Sequence, residues 1–164
     1  MRGTATFYRR WGGAWLLLCA ALLAACSGGP VRRVSPPSAS IQQLTVNADG
    51  GWSVELRLQN FSSIPMRFER VSLQATVADE AAGTLEYAPQ FSIGPESADV
   101  ITIALQPSAE ARMAVADALA GQRALAYTLK GRVDAVPQDA KQRSFDLDTR
   151  NSLNPVPGVP GALR

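Results

Sequence analysis

The most regular pattern along the chain has a period of two. Trp52, Val54, Leu56 and Leu58 alternate with Ser53, Glu55, Arg57 and Gln59. Successive side chains of an extended strand point to opposite faces, so this segment reads as a half-buried antiparallel strand. Asn47-Ala48-Asp49-Gly50-Gly51 before it has the composition of a hairpin loop, and leads back to a strand carrying Ile41, Leu44 and Val46. Val71, Leu73, Ala75 and Val77 alternate with Ser72, Gln74 and Thr76 and predict a further strand. Asp79-Glu80, ahead of Gly83, reads as a turn, and a weaker strand is expected over residues 84–87. Ile101, Ile103 and Leu105 predict another. Leu125, Tyr127, Leu129 and Val133 mark a long strand in which Gly131 is expected at a bulge. Phe145 and Leu147, alternating with Asp146 and Asp148, complete the series.

A single stretch follows the other period. After Pro107, Ser108 is placed to cap a helix, with Glu110 near its positive end and Gly121 just past its close. At 100° per residue Ala111, Ala114, Val115, Ala118 and Leu119 share one face, opposite Glu110 and Asp117. Strands at short intervals divided by turn residues predict a mainly β domain over residues 41–150. The architecture expected is an antiparallel β-sandwich with one short amphipathic α-helix. An up-and-down barrel fits the same periodicities.

The first 25 residues carry a different signal. Arg2, Arg9 and Arg10 form a basic start without acids, and an apolar run from Leu16 to Ala25 follows. Ten residues fall short of the ~20 that span a bilayer as a helix, so residues 1–25 read as a secretory signal peptide. Leu23-Ala24-Ala25-Cys26 resembles the lipobox of bacterial lipoproteins. Cleavage is expected between Ala25 and Cys26, with the Cys26 thiol carrying diacylglycerol. Cys19 lies in the discarded segment, which leaves the mature chain no disulfide. Ser27 follows the acylated cysteine, where enteric-type bacteria use aspartate for inner-membrane retention. By that analogy the protein is expected at the outer membrane, facing the periplasm. Residues 26–40 are rich in Gly, Pro and Ser and read as the acylated cysteine and a tether of ~45 Å at most, at ~3.3 Å per residue.

Charge and composition narrow the chemistry. The whole chain has 16 Lys+Arg against 14 Asp+Glu and no His. Arg2, Arg9 and Arg10 leave with the leader, so the mature charge is −1 and a basic surface for nucleic acid is not expected. Without imidazole, His-based metal sites and triads are excluded. No nucleophile elbow, phosphate loop or metalloprotease motif is present, and no cofactor or metal is expected. Asp146 and Asp148 share one strand face, as a metal site would require, but read as the solvated face opposite Phe145 and Leu147. Lys130 and Lys141 stand in no nucleophile context. Trp52, Phe68 and Tyr127 lie near arginines yet occupy apolar strand positions, and are expected in the core. Arg32 and Arg33 in the tether read as a solvated pair, with contact to anionic head groups as the alternative. The tail over residues 151–164 contains Pro155, Pro157 and Pro160 and reads as a solvated, polyproline-like end. The alternative has Val156, Val159 and Leu163 docking on the sandwich or on a partner.

The run Val54-Glu55-Leu56-Arg57-Leu58-Gln59-Asn60-Phe61-Ser62-Ser63-Ile64-Pro65 resembles the group-two late embryogenesis abundant proteins, the water-stress and hypersensitive-response (WHy) domain. There an alternating strand ends in Asn-Pro-Asn, followed by an apolar residue and proline. Asn60 matches the first Asn and Ile64-Pro65 the later pair, while Phe61 and Ser62 replace Pro and Asn. The resemblance implies a fibronectin type III or immunoglobulin-like sandwich, stress- and desiccation-related, without catalysis, and often lipid-anchored in bacteria. Asn60 and Pro65 are then turn residues. The function expected is a non-enzymatic envelope lipoprotein with a structural or protective role. The alternative is an accessory subunit of an envelope assembly, with a partner at a sheet edge or the tail.

Overall fold

The computed structural model describes residues 32–88 and 90–164. The signal peptide, its cleavage point at Ala25, and Cys26 lie outside the described residues. The elements in chain order are β1 (Ser38–Val46), β2 (Trp52–Gln59), β3 (Met66–Val77), β4 (Glu80–Tyr87), β5 (Phe91–Ile93), β6 (Ala98–Leu105), α1 (Ala109–Ala120), β7 (Leu125–Pro137), β8 (Arg143–Leu153) and β9 (Ala162–Leu163).

They form two antiparallel sheets, one ordered β6-β2-β1-β9 and the other β4-β3-β7-β8, with β5 also on β3. The fold is therefore a β-sandwich, and the barrel alternative falls away. The alternation in β2 is the reason. Trp52, Val54, Leu56 and Leu58 are all at most 1% exposed, while Arg57 faces water. They meet Phe68, Leu73, Tyr127, Leu129 and Val133 of the other sheet in one core. Burying each large side chain contributes ~1.5–3 kcal/mol. Trp52, Phe68 and Tyr127 are all buried, as their strand positions require. Tyr127 also ties the sheets together, because its hydroxyl accepts a 3.0 Å hydrogen bond from the Ile41 amide of β1.

The turns follow from local chemistry. Gly50 takes a positive φ of 82° in the β1–β2 loop, where the Gly51 amide donates to Asp49 Oδ1 at 2.9 Å. The β3–β4 turn is Ala78-Asp79, both at positive φ, as a two-residue hairpin of the primed type needs. It stands one residue earlier than Asp79-Glu80, since Glu80 already pairs with Val77. Ser108 caps α1, its hydroxyl accepting from the Ala111 amide at 3.1 Å. Ala111, Val115 and Ala118 form the buried stripe of that helix.

Three expectations need correction. Gly131 is not at a bulge: it pairs in register with Leu73 and Leu147, and the register shift between β3 and β7 lies at Phe68/Arg70. A Cβ at Gly131 would stand 2.2 Å from the Ser72 carbonyl oxygen, so glycine permits a close approach of two backbones. The tether is shorter than residues 26–40, because β1 begins at Ser38 and Ala39 is already buried. The tail is not solvated throughout: residues 157–160 stay exposed, but its end docks on the sandwich. Leu163 is 0% exposed, β9 pairs with Leu44 and Thr45 of β1, and Asn154 and Arg164 exchange backbone hydrogen bonds of 2.6 and 2.7 Å. Gly158 and Gly161, both at positive φ, let the proline-rich loop turn back.

Candidate functional site

Among the sequence-derived candidates, Asn60 stands at the most connected position. β2 ends at Gln59, and Asn60 follows with no solvent exposure. Its Nδ2 donates to the carbonyls of Ile64 at 2.9 Å, Ile93 at 3.2 Å and Gly94 at 2.9 Å. Its Oδ1 accepts from the Ser62 amide at 2.9 Å, and its own amide donates to the Ser97 carbonyl. The expected turn role is present in the contacts to Ser62 and Ile64. The contacts to Ile93 and Gly94 join that turn to the β5–β6 loop.

Ser62 extends the network. It is fully buried, its Oγ accepts from the Ser35 amide at 3.0 Å and donates to the Ser35 carbonyl at 3.2 Å. The Arg33 amide donates to Ser63 Oγ at 2.8 Å, and the Ser63 amide donates to the Arg33 carbonyl at 3.0 Å. Residues 33–35 are thus clipped to the turn at residues 60–65 before β1 begins. Pro65 is half-buried and its carbonyl accepts from the Gln138 amide, which adds the β7–β8 loop. Four chain segments meet at this end of the sandwich.

Charged side chains decorate its rim. Arg32 pairs with Asp139 at 2.8 Å and Arg33 with Glu96 at 3.2 Å, all four side chains more than half exposed. Such pairs add little stability. Phe61 projects from the same turn with 42% of its surface exposed.

The other candidates are not brought to this end. Asp146 faces Arg132 at 3.2 Å and Asp148 faces Lys130 at 3.3 Å across β7 and β8, on the outer side of the sheet. The two carboxylates are the exposed rungs opposite half-buried Phe145 and Leu147. Lys141 lies exposed between β7 and β8. Among the described residues no group of three His, Cys, Asp or Glu could hold a metal ion, and no helix is long and apolar enough to cross a membrane. Val156 is half-buried and Val159 is 51% exposed, so docking of the tail rests on Ala162 and Leu163. Burial pushes the Tyr127 hydroxyl above its ordinary pKa, against smaller opposing effects of the Ile41 amide and the Asn151 side chain.

No family model and no curated protein matches the chain. Solved structures do resemble it. A solution structure of a protein from Arabidopsis thaliana shares 9% identity, with 77% of this chain and 82% of that one covered and a TM-score of 0.48. A crystal structure of a protein from Archaeoglobus fulgidus shares 10%, covers 73% of this chain and 97% of that one, and has a TM-score of 0.39. An X-ray structure of a structural-genomics target shares 12%, over 78% and 89%, with a TM-score of 0.40.

Proposed function

We propose that this is an acylated lipoprotein of the cell envelope whose sandwich, similar to a WHy domain, has a non-enzymatic structural or protective role under desiccation or osmotic stress. The observation that carries the anchor is Leu23-Ala24-Ala25-Cys26 at the end of a basic and then apolar leader. Support for the WHy-like reading comes from the order strand, buried Asn60, Ile64-Pro65, further strand, in a sandwich with one helix. Ser27 after the lipid-bearing cysteine favours the outer membrane, facing the periplasm.

The test is Cys26→Ser in the full chain. The wild type is expected at mature size in the membrane fraction with diacylglycerol mass on its N-terminal peptide. The variant is expected unprocessed and without that mass. A variant that still reaches membranes at mature size refutes the anchor. A deletion strain that fails specifically after drying or osmotic shock supports the protective role.

A second reading, an accessory subunit of an envelope assembly, has its own observation. Among the described residues β8 pairs with β7 alone, and most of its eleven residues are exposed. Such an edge accepts an added strand through its unpaired backbone groups. A stoichiometric partner cross-linked to β8 in intact envelopes, without a drying phenotype on deletion, favours that reading.

A further inference from the structure

We propose that the end of the sandwich bearing Asn60 and Phe61 rests against the bilayer surface. This inference rests on the lipid anchor proposed above and deepens it. The structure shortens the connection. Residues 33–35 are fixed by hydrogen bonds to Ser62 and Ser63, and Arg32 pairs with Asp139. Residues 27–31 alone remain between Cys26 and the first described residue. Six extended steps reach about 20 Å at ~3.3 Å each. A domain held on so short a connection keeps its attachment end close to the head groups.

That end is defined by chain geometry. Ser38, Gln59 and Ala98 share one rung of the first sheet, and Met66 and Pro137 share one rung of the second. The loops over residues 32–37, 60–65, 94–97 and 138–142 therefore lie together. The opposite end carries the β1–β2 hairpin, the β3–β4 turn, α1 and the returning tail.

Surface chemistry distinguishes the two ends. At the attachment end Arg32, Arg33, Lys141 and Arg143, which opens β8, outnumber Glu96, Asp99 and Asp139. Among the described residues Lys141 and Arg143 form no ion pair with an acidic side chain. Phe61, 42% exposed, supplies an aromatic ring at this end, its carbonyl accepting from the Arg33 guanidinium at 3.3 Å. At the far end Asp49, Asp79, Glu80, Glu110 and Asp117 outnumber Arg112, Arg123, Arg150 and Arg164. Cations attract anionic lipid, acids are repelled by it, and an aromatic ring partitions to the head-group level. Tether, charge and Phe61 all select the same end.

The test uses the mature acylated protein in vesicles of phosphatidylethanolamine and phosphatidylglycerol, a fraction of whose acyl chains carry a nitroxide quencher. Single fluorescent probes are placed at Phe61→Cys and Gln138→Cys on the attachment end, and at Met113→Cys, 72% exposed, on the far end. Quenching is expected to be several-fold stronger at 61 and 138 than at 113. The probe at 138 keeps the comparison valid if replacing Phe61 disturbs its turn. Equal quenching at all three positions, in protein that carries its acyl mass and floats with the vesicles, overturns the orientation and leaves the anchor standing. Protein without acyl mass that stays in the supernatant overturns both.

Discussion

At the scale of single residues, Asn60 sets the largest demand. One side-chain amide serves the buried carbonyls of Ile64 and Ile93 and the part-buried one of Gly94, and its oxygen serves an amide. Asn60→Ala leaves those groups without a partner, at ~1–3 kcal/mol for each that water cannot reach. A loss of about 2–4 kcal/mol in denaturant unfolding is expected. Ser63→Ala, on the half-exposed rim, is expected to cost less than half as much, and comparable losses at the two positions would contradict the network's central role. Tyr127 gives a pH signature. Its folded pKa lies above the unfolded value near 10, so its stabilisation is complete below pH ~10 and is lost as pH rises through the folded value. Tyr127→Phe should cost about 1 kcal/mol at neutral pH, for the Ile41 hydrogen bond, and flatten the alkaline decline of the unfolding free energy. Sequence reading identified Asn60 as a turn residue because Asn habitually bonds backbone nearby. It missed Ile93 and Gly94, which lie more than thirty residues away and come near only through the fold. Gly131 was legible as a special position but not in its cause, since the Ser72 carbonyl that crowds it belongs to another strand.

At the scale of elements, legibility followed periodicity. β2 could be read residue by residue because one face is wholly buried and the other wet. The consequence is a sharp contrast between neighbours. Leu56→Asp places a charge in the core and is expected to unfold the domain, whereas Arg57→Asp should change stability by less than about 0.5 kcal/mol. Circular dichroism melts of the two variants check this. β1 was less regular because a register shift between Ile41 and Gln43 breaks its alternation. Its first residues, Ser38-Ala39-Ser40, are not legible as strand in the sequence because small residues carry no period. β5 has three residues and β9 two, too few for any pattern, and both exist only because a longer strand offers its edge. The cap of α1 was fully legible, since Ser108, Ala111 and Gly121 act within one local stretch.

On the scale of the whole molecule, the tail belongs to the fold. Removing residues 154–164 exposes the core positions that Ala162 and Leu163 cover and deletes both their pairing with Leu44 and Thr45 and the hydrogen bond from the Val46 amide to the Gly161 carbonyl. A loss of about 2–4 kcal/mol is expected, read as a lower melting temperature. Unchanged melting would return the tail to a solvated role. Truncation therefore confuses loss of a partner with loss of stability, and Val159→Asp, on an exposed position, is the cleaner probe of an assembly.

The clip of residues 33–35 on Ser62 and Ser63 has a mechanical side. Those bonds lie in series between the N-terminal segment and β1, ahead of the eight paired positions that hold β1 to β2. A pull on the N-terminal segment loads the clip first. Its few bonds yield while the sandwich remains whole, and releasing residues 32–37 adds about 20 Å of slack at ~3.3 Å per residue. If the proposed Cys26 anchor holds the chain, this segment acts as a two-stage leash, short at rest and longer under tension, with the sandwich intact at both lengths.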